Sequence, residues 1–184
     1  MGLFSLFRRK TSPSKIAEDL GPLLVQVALH ECGTFQQVWK RDLDEKTQVA
    51  LFAELTFILV AMADRFAFDK FGDPTRSKVM NQVVDTIRDC FANQCHFGDT
   101  RQERVIYFDR FFIDRFQKYA TCSGIMSEEQ GSLIFSGAQH LVETFLEDIP
   151  ESQLPDAFLQ TGKTLSLSVI ALLATPTFKA LAAK

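Results

Sequence analysis

Residues 43–71 read LDEKTQVALFAELTFILVAMADRFAFDKF, and the middle of this stretch decides the fold. Laid on a helix, Leu51, Phe52, Leu55, Ile58, Leu59 and Met62 fall on one face. Phe57, Val60 and Phe68 fall on the other. A helix that is apolar on every side is sheathed by other helices. Asp42 and Glu45 are spaced as a capping pair at its start, and Gly72 stops it.

Working outward, the flanking segments also read as helices. Ser12 is a candidate N-cap, with Pro13 at the first helical position. Gly21-Pro22 is expected to interrupt that helix, and a second segment then runs at helical spacing to about Lys40. After Gly72, Asp73-Pro74 restarts the chain at once, so a helix over about 74–96 folds back antiparallel to its predecessor. Thr100 and Glu103 form a capping box that opens a helix ending near Ala120. Ser127 and Gln130 are spaced for another, opening a helix that ends before Pro150. Pro155 opens the last, which Thr175-Pro176 breaks. No stretch alternates with period two, and hairpin dipeptides such as Asn-Gly are absent.

The expected fold is therefore all-α: an up-and-down bundle of five to six helices around a central, fully buried one. Residues 1–12 are expected to be an amphipathic, basic tail, 13–176 one bundle domain, and 177–184 a short tail.

Composition narrows function by exclusion. The 184 residues are 46% hydrophobic and 23% charged, an ordinary globular balance. A net charge of −3 supplies no basic field for nucleic acid. The apolar run Leu165–Ala174, interrupted by two serines, covers about half of a ~30 Å hydrocarbon core, so no transmembrane segment is expected. Four cysteines without a preceding secretory signal read as reduced thiols in a cytoplasmic protein. Phenylalanine is in excess, with 18 Phe against 2 Tyr and 1 Trp, enough to face a partner or line a cavity as well as fill a core.

One internal echo stands out. Asp64-Arg65-Phe66-Ala67-Phe68-Asp69-Lys70-Phe71 and Asp109-Arg110-Phe111-Phe112-Ile113-Asp114-Arg115-Phe116 share D-R-F-x-x-D-[K/R]-F. In each copy the leading aspartate falls inside an apolar stripe, where a carboxylate needs an ion pair or hydrogen bonds. Such a pair can simply set helix register. Alternatively, Asp64 and Asp109, with Arg65, Arg110, Phe68 and Phe112, converge on a ligand site.

Other chemistry is sparse. His140 and Glu143 lie three apart on one helix and are the candidate metal ligands, but a di-metal bundle also needs Glu-x-x-His pairs that are missing. Cys90 and Cys95 would point about 140° apart on a helix, poorly placed for joint ligation. Nucleophile elbows and glycine-rich phosphate loops are absent, and no cofactor is implied. At the amino terminus, Phe4 and Phe7 followed by Arg8, Arg9 and Lys10 could make weak peripheral contact with an anionic membrane, or contact a partner.

The reading that results is a non-enzymatic bundle acting by protein–protein contact, as a homo-oligomer or on another protein. The alternative is a carrier or sensor for an apolar small molecule or lipid with a Phe-lined cavity. A carboxylate and histidine metal enzyme stands third.

Overall fold

The computed structural model describes residues 12–94, 100–126 and 131–182. These residues are all-α, with seven α-helices and no strand among them. The elements are α1 (Pro13–Trp39), α2 (Glu45–Phe71), α3 (Thr75–Gln94), α4 (Arg101–Ala120), α5 (Leu133–Phe145), α6 (Leu154–Leu173) and α7 (Pro176–Ala182), with a 3₁₀ turn at Glu151–Gln153 before α6.

Residues 51–64 of α2 are buried without a break. Around that stretch stand α1, α3, α4, α5 and α7, all of which touch α2. Its two ends are more exposed. The start of α2 also differs in detail from the expected capping pair at Asp42. Asp44 is the N-cap, and its side chain accepts a 2.7 Å hydrogen bond from the Thr47 amide.

The Gly21-Pro22 break does not occur: α1 runs unbroken from Pro13 to Trp39. Proline removes one backbone donor, that to the Glu18 carbonyl, but both Glu18 and Pro22 face solvent. Gly21 faces inward, where a Cβ would come within 2.9 Å of Thr86 on α3. The glycine that read as punctuation is the point at which two helices approach.

Elsewhere local signals hold. Thr100 accepts from the Glu103 amide, and the Glu103 carboxylate accepts from the Thr100 amide, closing the capping box of α4. The fifth helix opens later than expected. Ser132 caps it by accepting from the Phe135 amide, while the Ser127–Gln130 pair lies outside the described residues.

The stretch expected as a tail from 177 instead carries most of α7, which folds back across the end of the molecule and buries Phe178 and Leu181. Phe66 meets Phe178 edge-on at 5.9 Å. Among the described residues no single helix is long and apolar enough to cross a membrane.

Aromatic packing joins α2, α3 and α4. Phe57 meets Phe108 and Phe112 edge-on, and Phe91 stacks on Tyr107 and against Phe52. Much of the phenylalanine excess is thus consumed by ring-on-ring contacts inside the fold.

Candidate functional site

Each leading aspartate of the echo receives an arginine from α3. Arg76 grips Asp64 with two hydrogen bonds, Nε to Oδ1 at 2.8 Å and Nη2 to Oδ2 at 2.5 Å. Twelve residues on, Arg88 donates through Nε to Asp109 at 2.8 Å and through Nη1 to Asp85 at 2.9 Å. The first pair is largely shielded and the second is more open to water.

Between the two pairs lies an open groove of about 630 Å³, bordered by α3 and α4 and floored by Val60 and Asp64 of α2. Met80, Val84, Phe112, Ile113 and Phe116 give it apolar walls. Asp64, Asp109 and Phe112 thus line one groove.

Arg65, Arg110 and Phe68 are not part of that lining. Arg65 turns away and donates to three carbonyls, those of Tyr119, Cys122 and Gly124, so that it caps the end of α4 and pins the following loop. Arg110 is exposed. Phe68 lies 53% exposed, with the Arg76 guanidinium 5.7 Å from its ring. The two copies of the motif therefore share one interaction, the aspartate with an α3 arginine, and differ in the rest.

A second polar cluster lies deeper, and sequence reasoning missed it. Glu54, buried in the middle of α2, accepts from Arg115 Nε at 2.6 Å and from the Tyr119 hydroxyl at 3.3 Å. His140 of α5 brings Nε2 to 3.3 Å from the same carboxylate, without the alignment of a hydrogen bond. Burial raises the Glu54 carboxyl, but the His140 ring and the Arg115 guanidinium outweigh it and hold it below its ordinary value. Burial and the Glu54 charge together push the Tyr119 phenol well up. The signal was available: Glu54 interrupts an apolar run as plainly as Asp64 does.

The candidate metal pair separates. His140 faces inward to Glu54, whereas Glu143 is exposed and accepts from Gln139 at 2.7 Å. Among the described residues no three His, Cys, Asp or Glu side chains gather where they could hold a metal ion. Cys32, Cys90 and Cys122 form no disulfide, and burial raises the Cys90 thiol. Cys95 and His96, like Phe4, Phe7, Arg8, Arg9 and Lys10, lie outside the described residues.

A different kind of surface runs along α5 and α6. Met126, Ile134, Phe135, Phe158, Leu159 and Leu167 line an open groove of about 810 Å³, in which Lys163 is the only charged residue among the described ones. Leu167 is 67% exposed, and Leu159 and Ile170 are also exposed along the same outward row of α6.

No family model, curated protein or solved structure matches the chain.

Proposed function

We propose that this chain is a non-enzymatic binding protein that works through protein–protein contact at the α5–α6 face, with a second copy of itself as the occupant. One observation carries the reading. Leu159, Leu167 and Ile170 form an exposed apolar row beside an open apolar groove, the kind of patch that marks an interaction surface.

The row suits a two-fold contact. Two α6 helices crossing antiparallel about a point between Thr164 and Leu165 place Leu159 opposite Ile170 of the second copy. Gly162 then lies opposite Leu167, so the most exposed side chain of the row meets the barest backbone. Lys163 falls opposite Ser166, and its amine can leave along the rim. Such a pairing is isologous and closes at two subunits.

The up-and-down arrangement of helices around α2 belongs to the same reading. It is supported by the short connections at residues 40–44 and 72–74 and by the ring of helices touching α2. A reducing, cytoplasmic setting suits it as well, since three of the four cysteines are thiols.

The carrier reading has less support: the phenylalanine rings pack on one another, both grooves are open, and arginines already neutralise Asp64 and Asp109. The metal-enzyme reading has the least, because His140 and Glu143 face apart.

Size-exclusion chromatography with light scattering of the full chain tests the proposal. Twice the chain mass is expected at tens of micromolar protein, and the double variant Leu159→Glu/Leu167→Glu should return it to a monomer with unchanged helicity. A wild-type monomer at several hundred micromolar, or a dimer that survives the double variant, rejects it.

A further inference from the structure

We infer that the trough between α5 and α6 is a binding site for a free fatty carboxylate, which displaces the second copy of the chain from that face. The binding stands on the trough itself, and only its effect on assembly rests on the self-association reading.

The trough exists because two small residues make its floor. Gly162 of α6 faces Ala138 of α5, and a Cβ on Gly162 would stand 3.8 Å from that of Ala138, in ordinary contact. Phe135 and Phe158 meet edge-on at 4.9 Å across the two helices, and larger aliphatic side chains complete the walls. From Phe158 to Leu167 the α6 wall runs ~14 Å. The volume of about 810 Å³ falls within the range of small-molecule sites, roughly 300–1,000 Å³.

Charge then selects the head group. Lys163 is exposed at the rim, and among the described residues it makes no hydrogen bond or ion pair. The only acid on α6 is Asp156, two turns earlier and ~10 Å away along the axis. The Ser166 hydroxyl is already committed, donating to the Gly162 carbonyl at 2.8 Å. What the trough offers is therefore one unpaired ammonium beside a long apolar surface. The complementary molecule carries one carboxylate on an unbranched alkyl chain. Its chain lies over Gly162 and Ala138, and its carboxylate accepts from the Lys163 ammonium. A cationic amphiphile brings a like charge to that amine, and a neutral one leaves it without a counter-charge.

Occupancy and assembly use the same ground. In the antiparallel α6 pairing, Leu167 of the second copy descends on Gly162, where the alkyl chain lies. Ligand and second copy exclude one another, so ligand draws the equilibrium toward single chains. The trough is open to water, which suits an effector that exchanges freely rather than an enclosed cargo.

Isothermal titration of the full chain with decanoate, decanol and decyltrimethylammonium tests the site. Decanoate is expected to bind one per chain, at least about fivefold tighter than either of the others. Lys163→Gln should weaken decanoate by at least about fivefold and leave the dimer mass unchanged, since Lys163 faces only Ser166 across the pairing. Gly162→Leu fills the floor while gaining helix propensity, so it should abolish binding with helicity retained. Saturating decanoate should return the wild-type dimer to single-chain mass in light scattering. Decanol binding as tightly as decanoate, full binding by Gly162→Leu, a dimer that persists at saturation, or capture of the chain by phosphatidylserine vesicles in preference to decanoate would each overturn the inference. A wild type that is monomeric throughout yet binds decanoate as described would sink the self-association reading alone.

Discussion

Arg115 donates to Glu54 at 2.6 Å in the interior, joining α4 to the most buried stretch of α2. Removing either partner takes away the other's buried counter-charge, although Tyr119 still donates to Glu54 and Asp114 still accepts from Arg115; losing one side of a buried pair costs about 3–5 kcal/mol. Arg115 keeps some contact with water, which places this pair toward the lower figure. Glu54→Met and Arg115→Met are each expected to destabilise the fold by about 3 kcal/mol, and the double variant by clearly less than their sum. Urea midpoints of the four proteins measure this. Strict additivity would mean that the two side chains act separately.

The same carboxylate gives the fold an acid limb. Its folded value is held below the ordinary one, so its contribution is present at neutral pH and above the unfolded carboxyl value of about 4.5. It drains away as the pH falls through the depressed folded value. Unfolding free energy measured from pH 7 to pH 3 should fall steeply in the wild type and less steeply in Glu54→Gln. Asp148, which Arg41 also lowers, is a surface group, and Asp148→Asn should leave the limb nearly unchanged. Equal slopes in wild type and Glu54→Gln would assign the acid limb to other groups.

Asp64 and Asp109 look equivalent in the sequence and are not equivalent in the fold. Asp64 accepts both arms of Arg76 in a shielded place, whereas Asp109 accepts one arm of an arginine that Asp85 shares. Asp64→Asn should cost about 1–3 kcal/mol, in the range for a charged hydrogen-bonded pair. Asp109→Asn should cost at most about 1 kcal/mol, as for exposed ion pairs, and 1 M salt should erase that difference but not the first. Thermal denaturation at two ionic strengths separates them. Similar costs at both positions would make the echo a true structural repeat.

What was legible in the sequence was local. The all-round apolar stretch at 51–63 and the Thr100–Glu103 box depend on neighbours three or four residues away, and both appear as read. The aspartates of the echo were recognised as needing partners, but Arg76 and Arg88 carry no mark that distinguishes them from other arginines, because their pairing arises from how α3 docks. Glu54 breaks the apolar run as visibly as Asp64, but the identity of its partners is not legible, because they lie on α4 and α5 and nothing near it in sequence points to them. The stretch expected as a tail from Thr177 is short and weakly helical by itself, and is helical because Phe178 and Leu181 find a core to enter.

Two glycines in α1 make the distinction measurable. Gly33 sits in an exposed part of the helix, and a Cβ there would meet nothing within 4 Å. Gly33→Ala should therefore stabilise the fold by about 0.5–1 kcal/mol, through helix propensity and a less disordered unfolded chain. Gly21→Ala gains the same helical advantage but drives its methyl to 2.9 Å from both Cβ and Cγ2 of Thr86. Thr86 cannot swing aside cheaply: it is β-branched, and its hydroxyl donates to the Gln82 carbonyl at 2.9 Å. The helices must part, and overpacking of this kind costs about 1–3 kcal/mol, which exceeds the gain. Thr86→Ser removes only Cγ2 and leaves Cβ in place, so it should relieve part of the penalty and not all of it. Urea denaturation of Gly33→Ala, Gly21→Ala and Gly21→Ala/Thr86→Ser should rank them in the order first, third, second. A stabilising Gly21→Ala would show that α1 and α3 stand farther apart than the contact between Gly21 and Thr86 requires.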